Sequence, residues 1–338
     1  MKLDLPKASL PVISLLLLTA ATVATAPGSP DPVRMGEGRH SYEWEADWGV
    51  LPEGLSLGNT HGCMAVDSKG RVFLNTDSEN AVVIIGADGR FEKGWGKEWA
   101  GGLHGMTLVE ENGQEFLYLT HTGRHEVAKT TLDGEVLWTI GWPEESGLYG
   151  GAGEYRPTGV AVAPDGRFFV ADGYGKSYVH RYDAAGKYLG SFGGGGTEPG
   201  KMRTPHGIWI DMRGAEPSVL VADRENGRLQ SFSLEGELLG VHTGQLRRPC
   251  NVDGHAGDLV VADLAGRVTI LDAQNELVCH LGDNPDPGQR AQNGIQPDLW
   301  KPGVFISPHS ACFDAEGNVY VMDWLRWGRV SKLRRVAR

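Results

Sequence analysis

The feature that most constrains this chain is a repeated unit of short apolar strands separated by tight turns. In its clearest copy, residues 157–162 read PTGVAV, Asp165-Gly166 form a turn, and residues 167–172 read RFFVAD. The 49 glycines of the 338-residue chain suit such turns. Six units start 43 to 59 residues apart, a period typical of propeller blades. Their starts share one position, occupied by His61, His104, Thr158, His206, Cys250 and His309.

Each unit supplies three or four strands and leaves a sheet edge that cannot stand alone. Radial packing of such sheets around a channel protects the edges, so we predict an all-β chain folded as a six-bladed β-propeller. The last unit has only about three strands, whereas residues 41–48 alternate as a strand does. We therefore expect residues 41–48 to complete the last blade. An open solenoid is the alternative fold, but the sequence contains no capping repeat of the kind that such a fold needs.

The first 26 residues have the pattern of a secretory signal. Lys2 and Lys7 precede an apolar stretch over residues 10–23, and Ala24-Thr25-Ala26 has the form of a cleavage site. An uncleaved anchor is the alternative, although the stretch is shorter than the roughly 20 residues that span a bilayer. We predict a signal peptide at 1–26, a flexible leader at 27–43 and the propeller at 44–338. The mature protein is expected to be secreted or periplasmic and free of the membrane.

The net charge and the number of cysteines limit which partners and which disulfides are expected. A net charge of −11 argues against a nucleic-acid partner. We expect a monomer that acts on a small molecule or a peptide. The four cysteines permit disulfides in an exported chain, and three pairings are possible on paper.

The six unit starts predict a metal site on the channel axis. Equivalent first-strand positions face one another in a propeller, so His61, His104, His206 and His309 are expected to converge. Imidazole is a common zinc ligand, and three histidines that leave one position open are typical of a catalytic site. Cys250 could add a thiolate, although a buried free thiol is the simpler interpretation.

A second repeated feature ends the second strand of four units. These positions are acidic: Asp172, Asp223, Asp263 and Asp323. Such acids commonly accept backbone N–H bonds in the following turn, so we interpret them as structural.

Three segments carry a resemblance to a known family. Residues 172–177 read DGYGKS, residues 205–207 read PHG, and residues 222–228 read ADRENGR. They resemble the NHL-repeat propeller lyase that completes peptide amidation, peptidyl-α-hydroxyglycine α-amidating lyase. The resemblance implies a zinc ion on His104, His206 and His309, with Tyr174 as the base and glyoxylate as a product. The planar fork of Arg224 could bind the substrate carboxylate.

The chain departs from the family pattern at four places. Residues 74–77 read LNTD, where the family has an active-site arginine. Ser310 stands in place of an acid that helps to bind calcium, so calcium is not expected. Gly175 replaces a cysteine that forms a family disulfide. His61 is an additional channel histidine that could close the zinc site as a fourth ligand.

Two other functions compete with a lyase or a related metal-dependent enzyme. One is a non-catalytic propeller whose rim binds a protein, peptide or glycan. Its candidate contact residues are Trp95, Trp99, Trp142, Trp324 and Trp327. The other is a calcium-dependent lactonase, which needs an oxygen-rich channel, whereas this channel is predicted to be rich in nitrogen.

Overall fold

Short apolar runs between Gly-containing turns form 25 β-strands in a computed structural model that describes residues 32–46 and 48–336. The strands of blade 1 are β3 (Met64–Val66), β4 (Val72–Asn75), β5 (Val82–Ile85) and β6 (Phe91–Trp95); of blade 2, β7 (Leu103–Glu111), β8 (Gln114–His121), β9 (Glu126–Thr131) and β10 (Val136–Ile140); of blade 3, β11 (Gly159–Val162), β12 (Phe168–Ala171), β13 (Tyr178–Tyr182) and β14 (Tyr188–Gly193). Those of blade 4 are β15 (Pro205–Asp211), β16 (Ser218–Asp223), β17 (Arg228–Ser233) and β18 (Leu238–His242); of blade 5, β19 (Pro249–His255), β20 (Asp258–Asp263), β21 (Arg267–Leu271) and β22 (Leu277–Leu281); of blade 6, β23 (Pro308–Phe313), β24 (Val319–Asp323), β25 (Arg329–Arg335), β2 (His40–Glu45) and β1 (Arg34–Glu37).

The described residues contain no α-helix. Short 3-10 turns occur at Lys97–Trp99, Glu144–Ser146, Ala152–Glu154, Arg224–Asn226 and Pro297–Leu299. None of the helical segments in the described part of the chain is long and apolar enough to cross a membrane. The predicted signal peptide at 1–26 lies outside the described residues.

The six sheets confirm the predicted six-bladed propeller. In each blade the first strand lies at the axis, and the following strands pair antiparallel outward. The first strands of successive blades contact one another, and β23 of the last blade contacts β3 of the first, so the ring is closed.

Closure depends on pairing between the two ends of the propeller. Strand β2 pairs antiparallel with β25, with Tyr42 opposite Arg335 and Glu45 opposite Lys332. The prediction that residues 41–48 complete the last blade is confirmed for residues 41–45, where the strand ends. The edge of β25 thereby gains a partner strand, as a closed ring requires.

The predicted boundary between leader and propeller at residue 44 is wrong. Arg34–Glu37 and His40–Glu45 are strands of blade 6, so the propeller includes at least ten residues assigned to the leader. Tyr42 is fully buried, and burying a large aromatic side chain contributes roughly 1.5–3 kcal/mol. Two features concealed this pairing in the sequence. Residues 27–43 have a polar composition, and the partner strand lies almost 300 residues away.

The hydrophobic core lies between blades. Phe73, Val82 and Ile84 of blade 1 pack with Leu117 and Leu119 of blade 2. A similar cluster joins blades 5 and 6 and includes Tyr42. Every blade is therefore held by both neighbours, which fixes the positions of the first strands around the axis.

Candidate metal and active site

Four histidines converge on the axis, as the repeat alignment predicts. The ring centroids of His104, His206 and His309 lie 4.6 to 5.1 Å from one another. The ring of His61 lies 5.0 Å from both His104 and His309. Thr158 and Cys250 occupy the two remaining axis positions, and both are fully buried.

Three of the histidines are oriented in the same way by the neighbouring blade. Nδ1 of His104 donates to the carbonyl oxygen of Thr158 at 2.7 Å, and Nδ1 of His206 donates to that of Cys250 at 2.9 Å. Nδ1 of His309 donates to the carbonyl oxygen of Gly62 at 2.8 Å. A carbonyl oxygen only accepts, so the proton is on Nδ1 and the lone pair of Nε2 is available. This arrangement is common for histidines that bind a metal.

The local environment keeps these three imidazoles neutral. Burial lowers the pKa of His104, His206 and His309 well below the usual value, and the charge of Arg224 adds to the effect. Nε2 of His309 is buried and has no hydrogen-bond partner among the described residues. An unpaired buried nitrogen is costly unless a ligand binds it, so the donor set fits a metal ion.

The potential ligand atoms form two overlapping groups. His61, His104 and His309 make one, and His206, Cys250 and His309 make the other; within each group all ligand atoms lie within 4.8 Å of one another. His309 belongs to both groups. Burial raises the pKa of the Cys250 thiol to about 11, so it is a neutral thiol at ordinary pH.

Tyr174 lies at the centre of the cluster. Its hydroxyl donates to Nε2 of His206 at 2.9 Å and lies 3.3 Å from Nε2 of both His104 and His61. Burial raises the pKa of Tyr174 to about 12, although the nearby Arg224 opposes this shift. The side chain is therefore a phenol in the metal-free site.

Arg224 approaches the same hydroxyl from the adjacent blade. Its Nη1 donates to the Tyr174 oxygen at 3.3 Å, and its Nε donates to Oε1 of Glu225 at 2.9 Å. Glu225 Oε1 also accepts from Nη2 of Arg248 at 2.6 Å. Glu225 thus holds one edge of the guanidinium and leaves the other directed at Tyr174. Sequence reasoning missed Glu225, although it directly follows Arg224.

The acids at the ends of the second strands hold the backbone around the site. Asp172 accepts from the backbone N–H of Arg156 at 2.7 Å, two residues before the axial Thr158, and from that of Lys176 at 2.6 Å, two residues after Tyr174. Asp323 accepts from Ile306 at 2.9 Å and Ser307 at 2.7 Å, just before His309. Asp223 and Asp263 make equivalent bonds to the residues before His206 and Cys250. The acids are structural, as predicted, but only Asp172 bonds the turn that follows it; Asp223, Asp263 and Asp323 bond backbone N–H groups that precede the first strand of their blade.

Two of the departures from the family pattern have a local structural setting. The Ser310 hydroxyl accepts from the backbone N–H of Met64 at 3.0 Å and offers no carboxylate. A Cβ at Gly175 would lie 2.1 Å from Oδ1 of Asp172, so no larger residue fits there. All four cysteines are free and buried: Cys63, Cys250, Cys279 and Cys312.

The tryptophans named as a possible contact surface do not form one. Trp99 is 1% exposed within the core between blades 1 and 2, and Trp95 donates to the carbonyl oxygen of Leu132. Trp142 packs against the core between blades 2 and 3. Trp324 lies beside the axis, with its ring 5.4 Å from that of His61. Trp327 is exposed.

Sequence comparisons with known proteins identify relatives named as amidating lyases. The chain is 27% identical over 240 residues to a probable peptidyl-alpha-hydroxyglycine alpha-amidating lyase of Caenorhabditis elegans, covering 68% of this chain and 63% of the relative. It is 33% identical over 265 residues to peptidyl-alpha-hydroxyglycine alpha-amidating lyase 1 of Drosophila melanogaster, covering 70% of this chain and 45% of the relative. The chain thus spans less than two thirds of either relative. No protein-family model matches it.

Solved structures show a similar fold. A streptogramin B lyase superposes with a TM-score of 0.57 at 15% identity, covering 83% of this chain and 95% of the other. The virginiamycin B lyase of Staphylococcus aureus gives a TM-score of 0.54 at 15% identity, covering 84% and 97%. The chain is therefore a six-bladed propeller whose sequence relatives include peptidyl-α-hydroxyglycine α-amidating lyases.

Proposed function

We propose that this protein is a carbon–nitrogen lyase that cleaves the carbinolamide of a peptide ending in α-hydroxyglycine and releases glyoxylate. The observation that carries the proposal is the convergence of Tyr174 and Arg224 on the axial histidines. The Tyr174 hydroxyl lies within 3.3 Å of three Nε2 atoms and of the Arg224 guanidinium. The named relatives support the same reaction class.

Arg224 is suited to bind the carboxylate of the substrate. Only 12% of its side chain is exposed, and Glu225 holds the Nε edge, so the Nη1 edge is directed at the axis. A planar guanidinium matches a carboxylate in a bidentate contact. Bound in this way, the hydroxyl-bearing carbon would lie near the Tyr174 oxygen.

Tyr174 moves the proton in the proposed reaction. Its phenolate takes the hydroxyl proton, the carbinol oxygen forms a carbonyl, and the C–N electron pair passes to nitrogen. The phenol then returns the proton to that nitrogen, which leaves as the peptide amide. The products are an amide and glyoxylate, with no net change in protons. General acid–base catalysis of this kind contributes about 10²–10⁴-fold.

His104, His206 and His309 would hold a metal ion, for which a nitrogen-rich donor set favours zinc over calcium. When bound, such an ion supplies Lewis-acid polarisation of the substrate hydroxyl and favours the phenolate form of the adjacent tyrosine. Among the described residues, no compact group of potential ligand atoms contains all three of these histidines: His61 groups with His104 and His309, and Cys250 groups with His206 and His309.

The test is glyoxylate release from a synthetic benzoyl-α-hydroxyglycine by the zinc-loaded protein. We expect turnover, and we expect Tyr174→Phe to lower kcat by about 10²–10⁴-fold with its zinc content kept. Tyr178→Phe is a matched control, because its hydroxyl bonds to no described residue. Zinc-loaded protein that releases no glyoxylate from this or any peptidyl α-hydroxyglycine would contradict the proposal. Export and a monomeric state remain predictions of the sequence.

A further inference from the structure

A second ring of residues surrounds the axis beside the histidines. In all six blades, the backbone N–H of a residue just after the second strand donates to the carbonyl two residues before the axial residue, at 2.7 to 3.3 Å. The donors are Asp77, Thr122, Tyr174, Arg224, Leu264 and Trp324. Two members are the proposed base and the proposed carboxylate anchor. The other four thus occupy positions equivalent to residues of the active site.

The order of the blades sets which members face each other. The first strands contact one another in chain order around the closed ring. Asp77 of blade 1 is therefore opposite Arg224 of blade 4, and Trp324 of blade 6 is opposite Tyr174 of blade 3. Asp77 and Trp324 belong to adjacent blades and form one side of the site.

Asp77 is a half-buried carboxylate without a cation. It forms no ion pair with any lysine, arginine or histidine that the structure describes. One carboxylate oxygen accepts from Nδ2 of Asn59 at 2.5 Å, and the other accepts no hydrogen bond within the described part of the chain. Asp77 is close enough to the axis for its charge to act on His61. A half-buried acid in this state favours a positively charged ligand.

Hydrogen bonds through the side-chain amides of two asparagines link Asp77 to the backbone of Trp324. Asn59 Oδ1 accepts from Nδ2 of Asn293 at 2.9 Å, and the same Nδ2 donates to the carbonyl oxygen of Trp324 at 3.4 Å. The indole ring lies 5.4 Å from the ring of His61, on the side of the axis. An indole ring and an unpaired carboxylate on adjacent blades provide the two kinds of attraction that bind an organic cation.

We infer that Asp77 and Trp324 select a substrate that carries an organic cation on its acyl side, opposite the carboxylate bound by Arg224. The inference rests on the proposed function and adds the substrate class. With the carboxylate at blade 4, the acyl group extends across the axis toward blades 1 and 6. Its cation is either the free α-amino group of a dipeptide or the basic side chain of the residue before the hydroxyglycine.

The experiment compares kcat/KM for two matched substrate pairs with the zinc-loaded protein. The first pair is Ala-α-hydroxyglycine and its N-acetyl form; the second is N-acetyl-Lys-α-hydroxyglycine and N-acetyl-norleucyl-α-hydroxyglycine. We expect the cationic member of at least one pair to be preferred by about tenfold, the size of one partly desolvated cation contact. The pair that shows the preference identifies the source of the cation.

Variants of Asp77 and Trp324 test whether these residues cause the preference for the cationic substrate. Asp77→Asn and Trp324→Leu should each bring the ratio close to one, and Asp77→Glu should keep much of it. Glu79→Gln is the matched control, because Glu79 follows in the same turn but is exposed and near Lys97. Equal kcat/KM within both pairs for the unmodified protein overturns the inference, as does a preference that survives Asp77→Asn. Absence of glyoxylate from every substrate, neutral ones included, overturns the proposed function instead.

Discussion

The even-numbered and odd-numbered blades differ at the axis. Blades 2, 4 and 6 present His104, His206 and His309, each with Nδ1 bonded to a carbonyl of the next blade. Blades 1, 3 and 5 supply those carbonyls, from Gly62, Thr158 and Cys250. The even blades thus present imidazole nitrogens to the axis, and the odd blades orient them. A ring of six similar repeats thereby acquires a threefold donor set.

His61 shows why a histidine at the right position is not sufficient. Blade 1 is odd, and among the described residues Nδ1 of His61 has no carbonyl partner, whereas Nε2 lies 3.3 Å from the Tyr174 hydroxyl. Its ring is stacked with Tyr174 at an interplanar angle of 18°. We propose that orientation by the next blade distinguishes a metal ligand from a neighbour of the site, although His61 belongs to one of the two compact groups.

The largest effect should follow the loss of an even-blade histidine. For His206→Ala we expect bound zinc to fall from about one ion per chain to less than about a tenth, because three protein ligands define such a site. Turnover should fall by about 10³-fold or more with the loss of the Lewis acid. Elemental analysis and glyoxylate assays measure both. Cys250→Ala, at the adjacent odd-blade position, should keep its zinc; loss of zinc from this variant would instead assign the ion to His206, Cys250 and His309.

Removing the metal should destabilise the protein only when the even-blade set is intact. At free zinc about 1,000-fold above the Kd, binding contributes about 4 kcal/mol to the free energy of unfolding. Chelation should therefore lower the melting temperature of the unmodified chain and leave that of His309→Ala unchanged. Equal shifts in both proteins would place the stabilising ion elsewhere.

A buried histidine away from the axis provides a contrast to the axial histidines. His180 has both ring nitrogens bonded to side chains, to the Tyr149 hydroxyl at 2.7 Å and the Ser191 hydroxyl at 2.7 Å, so neither is free for a metal. Burial lowers its pKa to about 3. The folded state therefore binds fewer protons than the unfolded state between pH 6.5 and 3, and stability falls as the pH falls.

The expected loss from His180 is about 1.4 kcal/mol per pH unit across that window. Denaturant unfolding of His180→Gln between pH 6.5 and 4 should show a free energy of unfolding that depends less steeply on pH than that of the unmodified chain. An unchanged slope would mean that His180 is not the residue responsible.

The smallest effect is expected at His61. For His61→Ala, zinc content should stay near one ion per chain, because the carbonyl-oriented set is intact. Turnover should fall by no more than about tenfold, since the ring contacts Tyr174 without a bond to backbone. Zinc analysis beside kcat distinguishes the roles. Loss of zinc equal to that of His206→Ala would make His61 a true ligand and abolish the distinction between odd and even blades.

The sequence predicted the blades and the axial residues because both follow from local repetition. Apolar alternation and Gly-containing turns specify strands, and equivalent positions in six similar units must face one axis. The residues that resemble the lyase family, Tyr174 and Arg224, lie at those histidines. The closing strands were only partly predicted, since the edge that binds residues 40–45 comes from the other end of the chain, and residues 34–37 pair in turn with residues 40–43.

The sequence by itself determined the repeat, the number of blades and the four histidines that meet at the axis. Only the tertiary structure decided that three of them are oriented by the next blade, that Glu225 holds Arg224, and that Asp77 and Trp324 stand in equivalent positions to Tyr174 and Arg224. The physical reason is that strand periodicity is encoded locally, whereas the direction of a hydrogen bond between blades exists only after the ring has closed.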